Sequence, residues 1–251
     1  MDSLIVYPAL FLAAMIAGWV DSIAGGGGMI TLPALLAAGL PPHLALGTNK
    51  LQSTFGSFTA TTNNYRRGII RFGDAVWGIV CTAIGAALGA YVVQILDSEL
   101  LEKVIPFLLF AILVYFVFSP RLSDQDKSPK ITSGIFYLLC GLALGFYDGF
   151  FGPGTGSFWV FLFVSLLGYN LTKATGYTKL MNFTSNIVSL IAFTIGGNIL
   201  IKVGLVMGVG QVIGAYVGSH MAIRNGARFI RPVLIVVVFI TTVKLFIDYF
   251  K

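Results

Sequence analysis

An aspartate set in apolar sequence and followed four residues later by a glycine-rich break occurs twice in this chain, and few folds accommodate it. The first copy runs from Gly18 to Pro33, with Asp21 ahead of Gly25–Gly28. The second runs from Gly145 to Ser157, with Asp148 ahead of Gly152, Pro153, Gly154, Thr155 and Gly156. A glycine run dissolves a helix, because glycine loses the most backbone entropy on ordering and leaves its amides unscreened. In an apolar setting such a break is tolerated only where it is buried in protein or lines a polar cavity. Repetition of so costly a feature points to a site.

The setting is a bilayer. Of 251 residues, 57% are hydrophobic and 10% charged, and the mean hydropathy is +0.89. Soluble domains carry roughly a quarter charged residues. The apolar runs are continuous, unlike the short alternating strands of a barrel, so the fold class is an all-α polytopic membrane protein. The first run has no basic residue before it and no small-residue cleavage site, which reads as a retained helix and not a signal peptide. Cys81 and Cys140 lie inside apolar segments without metal-ligand spacing and read as small buried residues. The net charge of +6 does not imply nucleic acid. Arg66, Arg67 and Arg71 share one loop, Arg121, Lys127 and Lys130 a second, and Arg224, Arg228 and Arg231 a third. That clustering is the pattern of cytoplasmic anchors at helix ends.

Five apolar segments, Leu4–Val20, Met29–Leu40, Leu44–Thr62, Phe72–Leu96 and Leu101–Ser119, precede a polar loop, Pro120–Lys130. Five more follow: Ile131–Phe146, Ser157–Leu167, Leu171–Ile195, Val203–Ile223 and Pro232–Phe250. The second member of each half would be only about 18 Å long, short of the roughly 30 Å hydrocarbon core. It is expected to form a broken or re-entrant pair with the segment before it, giving about 8–10 membrane segments. Residues 1–119 then form a first membrane repeat, 120–130 a cytoplasmic linker and 131–251 a second repeat. The halves also match at Gly47–Ser53 against Gly176–Asn182 and at Gly85–Gly89 against Gly214–Gly218. An odd number of crossings per half puts the three basic loops on one side, and the acidic loop with Asp97, Glu99 and Glu102 on the other. The repeats are therefore expected to be inverted, with both termini outside the cytoplasm.

Four ionisable residues fall within the expected bilayer: Asp21, Lys50, Asp148 and Lys179. Each costs at least about 2.5 kcal/mol on the insertion scale and needs a partner or a purpose. They either pair with one another, or the aspartates accept from the break amides, or they serve a ligand. Helix N-termini near Met29 and Ser157 would direct amides and positive dipole ends at a small anion. Lys50, Ser53, Ser57 and Ala60 share one helix face, as do Lys179, Asn182, Asn186 and Ser189. Such stripes serve either packing or a polar path. His43 and His220 are isolated, so no metal site is expected. Gly25–Gly28 lacks the Gly-Lys-Ser/Thr of a phosphate loop, and no nucleophile–base pattern appears.

Asp21 with Gly25–Gly28, Gly47-Thr48-Asn49-Lys50, and the second set with Asp148, Gly152–Gly156 and Lys179 resemble the TauE/SafE family of sulfite and organosulfur anion exporters, within the 4-toluene sulfonate uptake permease superfamily. The similarity covers nearly the whole chain. The second half departs by placing Thr178 opposite Asn49 and Pro153 opposite Gly26. The resemblance implies a transporter in the cytoplasmic (inner) membrane for sulfite, thiosulfate or sulfonate-type anions, driven by an ion gradient, with a proton or sodium as coupling ion.

The resulting expectation is secondary transport by alternating access, without a cofactor. The substrate site would comprise Gly26, Gly27, Gly28, Asn49, Lys50, Ser53, Gly154, Thr155, Gly156, Ser157, Lys179 and Asn182. Asp21 and Asp148 would couple a proton or pair with the lysines. A passive anion channel is the alternative, with a membrane-embedded enzyme or a scaffold behind it. The topology has a direct check. Single cysteines near Ser123 and Asn225 should label only from the cytoplasm, and one near Ser98 only from outside. Labelling of the first two from opposite faces would contradict the inverted arrangement.

Overall fold

The computed structural model describes residues 3–118 and 125–225. The expected tenth segment, Pro232–Phe250, lies outside them, as do Arg121, Ser123, Arg228 and Arg231. The described chain is helical throughout: α1 (Ser3–Ala24), α2 (Gly28–Ala37), α3 (Pro42–Arg66), α4 (Val76–Ile95), α5 (Ser98–Phe118), α6 (Ser133–Phe136), α7 (Leu142–Phe150), α8 (Thr155–Leu166), α9 (Leu171–Ile195) and α10 (Ile201–Asn225). A 3-10 turn at Phe72–Ala75 leads into α4, and a π turn at Tyr137–Gly141 joins α6 to α7 as one rod. These bounds follow the sequence segments closely. The π turn has no signature in the apolar pattern and is an addition from the structure.

Local chemistry sets several ends. Pro41 and Pro42 open α3, where a missing N–H costs nothing and a fixed φ suits the first turn. Asn170 caps α9 by accepting from Lys173 N at 2.9 Å. Among the described residues, four helical stretches are long and apolar enough to cross a membrane: Ile5–Ile23, Phe72–Ile95, Ser133–Phe150 and Ile201–Arg224. Helices α2 and α8, with 10 and 12 residues, are too short to cross alone. Helices α3 and α9, of 25 residues each, reach about 37 Å and are long enough. They do not read as spans because their buried faces are polar, including Asn49, Lys50, Gln52, Lys179, Asn182 and Ser185.

The two halves are interleaved. Helix α1 packs chiefly on α10, and α7 chiefly on α4. Both contacts are backbone-close because glycines line them. A Cβ on Gly85 or Gly89 would strike backbone atoms of α7, and one on Gly145 or Gly149 would strike α4. Gly210, Gly214 and Gly218 stand in the same relation to α1. Lipid tails give helices no hydrophobic reason to associate, so close van der Waals contact through small residues supplies the adhesion.

Helices α3 and α9 cross antiparallel. Gly47, near the start of α3, abuts Asn198 beyond the end of α9, while Gly176, near the start of α9, abuts Asn64, Ile69 and Ile70. The segments that carry Arg71 and Lys127 lie at one end of the bundle, against the start of α9. There Lys127 N donates to Gly168 O at 2.7 Å, and Arg71 N to the Tyr177 hydroxyl at 3.3 Å. At the other end His43 bonds Ser98 beside the acidic loop, at 2.9 Å.

The glycine contacts yield a prediction. Gly89→Val and Gly214→Val should each lose about 1–3 kcal/mol or more through overpacking, read as a lower melting temperature of the purified protein. Gly134→Ala, with nothing within 4 Å of the added carbon, should melt like the parent.

Candidate functional site

Each break ends one helix and starts another within a few residues. Gly25 and Gly26 take φ of +73° and +137°, Gly152 and Gly154 of +100° and +83°. Side chains rarely adopt that region, which is why the sequence needs glycine there. Helices α2 and α8 then start at Gly28 and Thr155. The breaks touch each other backbone to backbone. A Cβ on Gly156 would lie 2.8 Å from Gly25 Cα, and one on Gly28 would lie 3.2 Å from Pro153 Cα. Ser157 Oγ donates to Gly25 O at 2.6 Å and bonds the two breaks directly.

The four intramembrane charges pair across the halves. Lys50 Nζ lies 2.7 Å from Asp148 Oδ1, with side chains 2% and 5% exposed. Lys179 Nζ lies 3.1 Å from Asp21 Oδ2, with side chains 0% and 23% exposed. Each lysine also donates to the backbone carbonyl of its aspartate. The remaining carboxylate oxygens are bound differently. Asp21 Oδ1 accepts from the amides of Gly26 and Gly27, at 3.0 and 3.2 Å. Asp148 Oδ2 accepts from the Ser185 hydroxyl, which also lies 3.1 Å from Asn182 O. The break amides expected to be bare are therefore occupied in the first half by the protein's own carboxylate.

Between the pairs is a polar cavity of about 30 Å³, room for one or two water molecules. Asp21, Asp148 and Lys50 line it, as do Gly26, Gly27 and Gly28 from the first break. Gly154, Thr155 and Gly156 line it from the second break, and Asn49, Ser53 and Asn182 from α3 and α9. Lys179 and Ser157 are not in the lining; they hold Asp21 and Gly25 from behind. The two polar stripes meet: Asn186 Nδ2 donates to Ser57 Oγ at 3.4 Å. Asn49 Oδ1 accepts from Thr31 Oγ1 at 2.6 Å and from Gln52 Nε2 at 2.7 Å. Asn182 Oδ1 is buried without a partner.

Gly152, Asn186 and Gln211 also line the cavity, outside the site set expected from sequence. Gln211 was legible as an isolated carboxamide within the apolar segment Val203–Ile223. It fits because Gly18 faces it from α1 and Gly56 from α3, where added carbons would collide with it. Gly27 is a glycine for lack of space and not for its backbone angle. Its φ is an ordinary −53°, and an added Cβ would meet Ala17 O and Asp21 Cβ, each at 2.8 Å. Gly27→Val is therefore a packing lesion and does not report on amide access. Among the described residues, no three His, Cys, Asp or Glu side chains gather to hold a metal ion.

A helical bundle with broken, apolar short helices and a buried charged cavity is the build of a polytopic membrane transporter, and comparison with known proteins agrees. The chain belongs to the TauE/SafE family: the family described as "Sulfite exporter TauE/SafE" matches residues 10–245. A Sinorhizobium protein, "Probable membrane transporter protein ORF9", is 47% identical over 239 residues, covering 95% of this chain and 92% of the relative. Escherichia coli K12 "Probable membrane transporter protein YfcA" is 43% identical over 248 residues, covering 99% and 92%. Bacillus subtilis "Probable membrane transporter protein YdhB" is 26% identical over 250 residues, covering 92% and 97%. No solved structure gives a significant match.

The pairing yields a stability prediction. Lys50→Ala leaves Asp148 charged and buried, which should cost about 3–5 kcal/mol. The double variant Lys50→Ala/Asp148→Ala should recover much of that loss. Thermal melts of both singles and the double close the cycle; additive losses would contradict a coupled pair.

Proposed function

We propose that the protein is a secondary transporter of a small oxyanion, of the sulfite or sulfonate type, and that the cavity between the breaks is its substrate site. One observation carries the reading: Lys50, two glycine breaks and the carboxamides of Asn49, Asn182 and Gln211 converge on one buried polar space drawn from both halves. Carboxamide N–H groups and lysine ammonium suit the several acceptor oxygens of an oxyanion. The family's description as sulfite exporters supports sulfur as the central atom. Lys50 supplies charge at the cavity wall, and Lys179 acts through Asp21.

The cavity of about 30 Å³ is smaller than such an anion, so loading requires the halves to part. Alternating access provides this: the two interleaved repeats, inverted across the membrane, rock about the touching breaks and expose the cavity to each side in turn. The basic ends would face the cytoplasm of a cell whose inner membrane holds the protein.

The test uses purified protein in proteoliposomes, with sulfite, thiosulfate, methanesulfonate, chloride and phosphate offered in turn. Saturable uptake of at least one sulfur anion, well above that of chloride or phosphate, is expected. Accumulation against a gradient, abolished by an ionophore, would separate a transporter from a channel. Asn182→Ala should weaken half-saturation roughly ten-fold with little change in melting, because Asn182 Oδ1 holds no structural bond. Equal flux of every anion, or of none, contradicts the proposal.

A further inference from the structure

The two cross-half pairs are alike in charge but not in what holds the carboxylate. The wall charges and Lys179 sum to zero: two lysines against two aspartates. An anion entering this space therefore finds no net positive charge. Adding one uncompensated negative charge to a buried site is strongly unfavourable. A free lysine must be produced at the moment of binding, and its carboxylate neutralised.

Asp148 and Asp21 differ in their capacity for that. Oδ1 of Asp21 faces two backbone amides, which donate and never accept. Oδ2 of Asp148 faces a hydroxyl, Ser185 Oγ, which does both. Were Asp148 protonated on Oδ2, the new O–H would donate to Ser185 Oγ. The serine hydrogen already has an acceptor waiting in Asn182 O, at 3.1 Å. No polar group is stranded by the change. Lys50 keeps its bond to the Asp148 carbonyl and turns its uncompensated charge to the cavity it lines.

Among the described residues packed on α7, none offers a second carboxylate that would take the proton in place of Asp148. Of the helices packed on α7, neither α4 nor α8 carries a charged residue; Cys81 and Tyr91 are the titratable groups of α4. Helix α9 brings Lys179, committed to Asp21, Tyr177, whose hydroxyl lies 3.3 Å from Asp74, and Lys173, stacked on Tyr169. On α7 itself, Tyr147 donates to Pro153 O at 2.7 Å.

From this geometry, and resting on the proposed anion transport, we infer that transport is coupled to protons through Asp148, one proton per monoanion. A proton from bulk water adds to Asp148 Oδ2, the anion binds Lys50, and both leave together on the far side as the Lys50–Asp148 pair re-forms. The site gains one positive and one negative charge, so the loaded step is electroneutral. Asp21–Lys179 stays a fixed pair, tied to the first break. The substrate class follows: a monoanion such as a sulfonate matches one proton, whereas a dianion leaves the site one charge in deficit.

The experiment uses proteoliposomes of the full chain with a trapped pH dye, equal pH on both sides, and an inward gradient of sulfite, thiosulfate or methanesulfonate. Methanesulfonate is the decisive probe, because its conjugate acid is too strong to carry protons by itself near neutral pH. Its entry should acidify the lumen at one proton per anion and be unchanged by a potassium–valinomycin voltage clamp. Whatever anion flux Asp148→Asn retains should carry no proton with it and should become voltage-dependent. Anion entry into wild-type vesicles without acidification overturns the coupling and leaves transport standing. Acidification retained by Asp148→Asn overturns the assignment to Asp148. Entry of none of the three anions sinks the transport reading, and this inference with it. The wild-type ratio needs no variant, so an Asp148→Asn chain that fails to fold leaves the test in force.

Discussion

Two lysine–aspartate pairs, buried where the dielectric is low, tie one half of this protein to the other. Neither half contains a complete pair, since Lys50 meets Asp148 and Lys179 meets Asp21. A charge in such surroundings is tolerable only with its partner. Each half therefore completes the other's electrostatics, and the surrounding architecture serves to bring them together. The lysines come from the third turns of α3 and α9, and the aspartates sit within a turn of the end of α1 and α7. The breaks stop those helices in the interior, and their ends meet at the cavity.

Small residues make the approach possible. Glycines on α1, α4, α7 and α10 let backbones touch, which draws α1 onto α10 and α7 onto α4. That exchange carries each aspartate into the other half. The polar faces of α3 and α9 are thereby kept from lipid by the apolar helices around them. An ordinary side chain in either layer would separate the helices and move an aspartate off its lysine, so packing and charge pairing are one constraint.

Much of this was legible in the sequence. Apolar run length located the helices, and the repeated aspartate-plus-glycine pattern located the breaks. Most of the expected site residues line one cavity, because the features that make them costly in a bilayer also force them inward. The partner of each charge was harder to read. Pairing of Lys50 with Asp148 depends on how α3 and α7 meet, and periodicity along one chain does not encode that. Gln211 does not stand out, because one carboxamide in a glycine-rich segment resembles packing surface; its role emerges only from Gly18 and Gly56 opposite. The engagement of Gly26 and Gly27 by Asp21 was likewise one of several options until the break's dihedrals closed a ring around the carboxylate.

Lys50 and Asp148 are 98 residues apart in the chain, and Asp21 and Lys179 are 158 apart. At a synthesis rate of about 5–20 residues per second, Lys50 exists for roughly 5–20 seconds before its partner is made. Asp21 waits longer still. Over that interval α3, which is polar along one side, has no completed bundle to shelter it. Until the second half is made, Lys50 and Asp21 lack the opposite charges that compensate them in the folded protein. A first half made alone lacks the charge partners on which burial of its own lysine and aspartate depends.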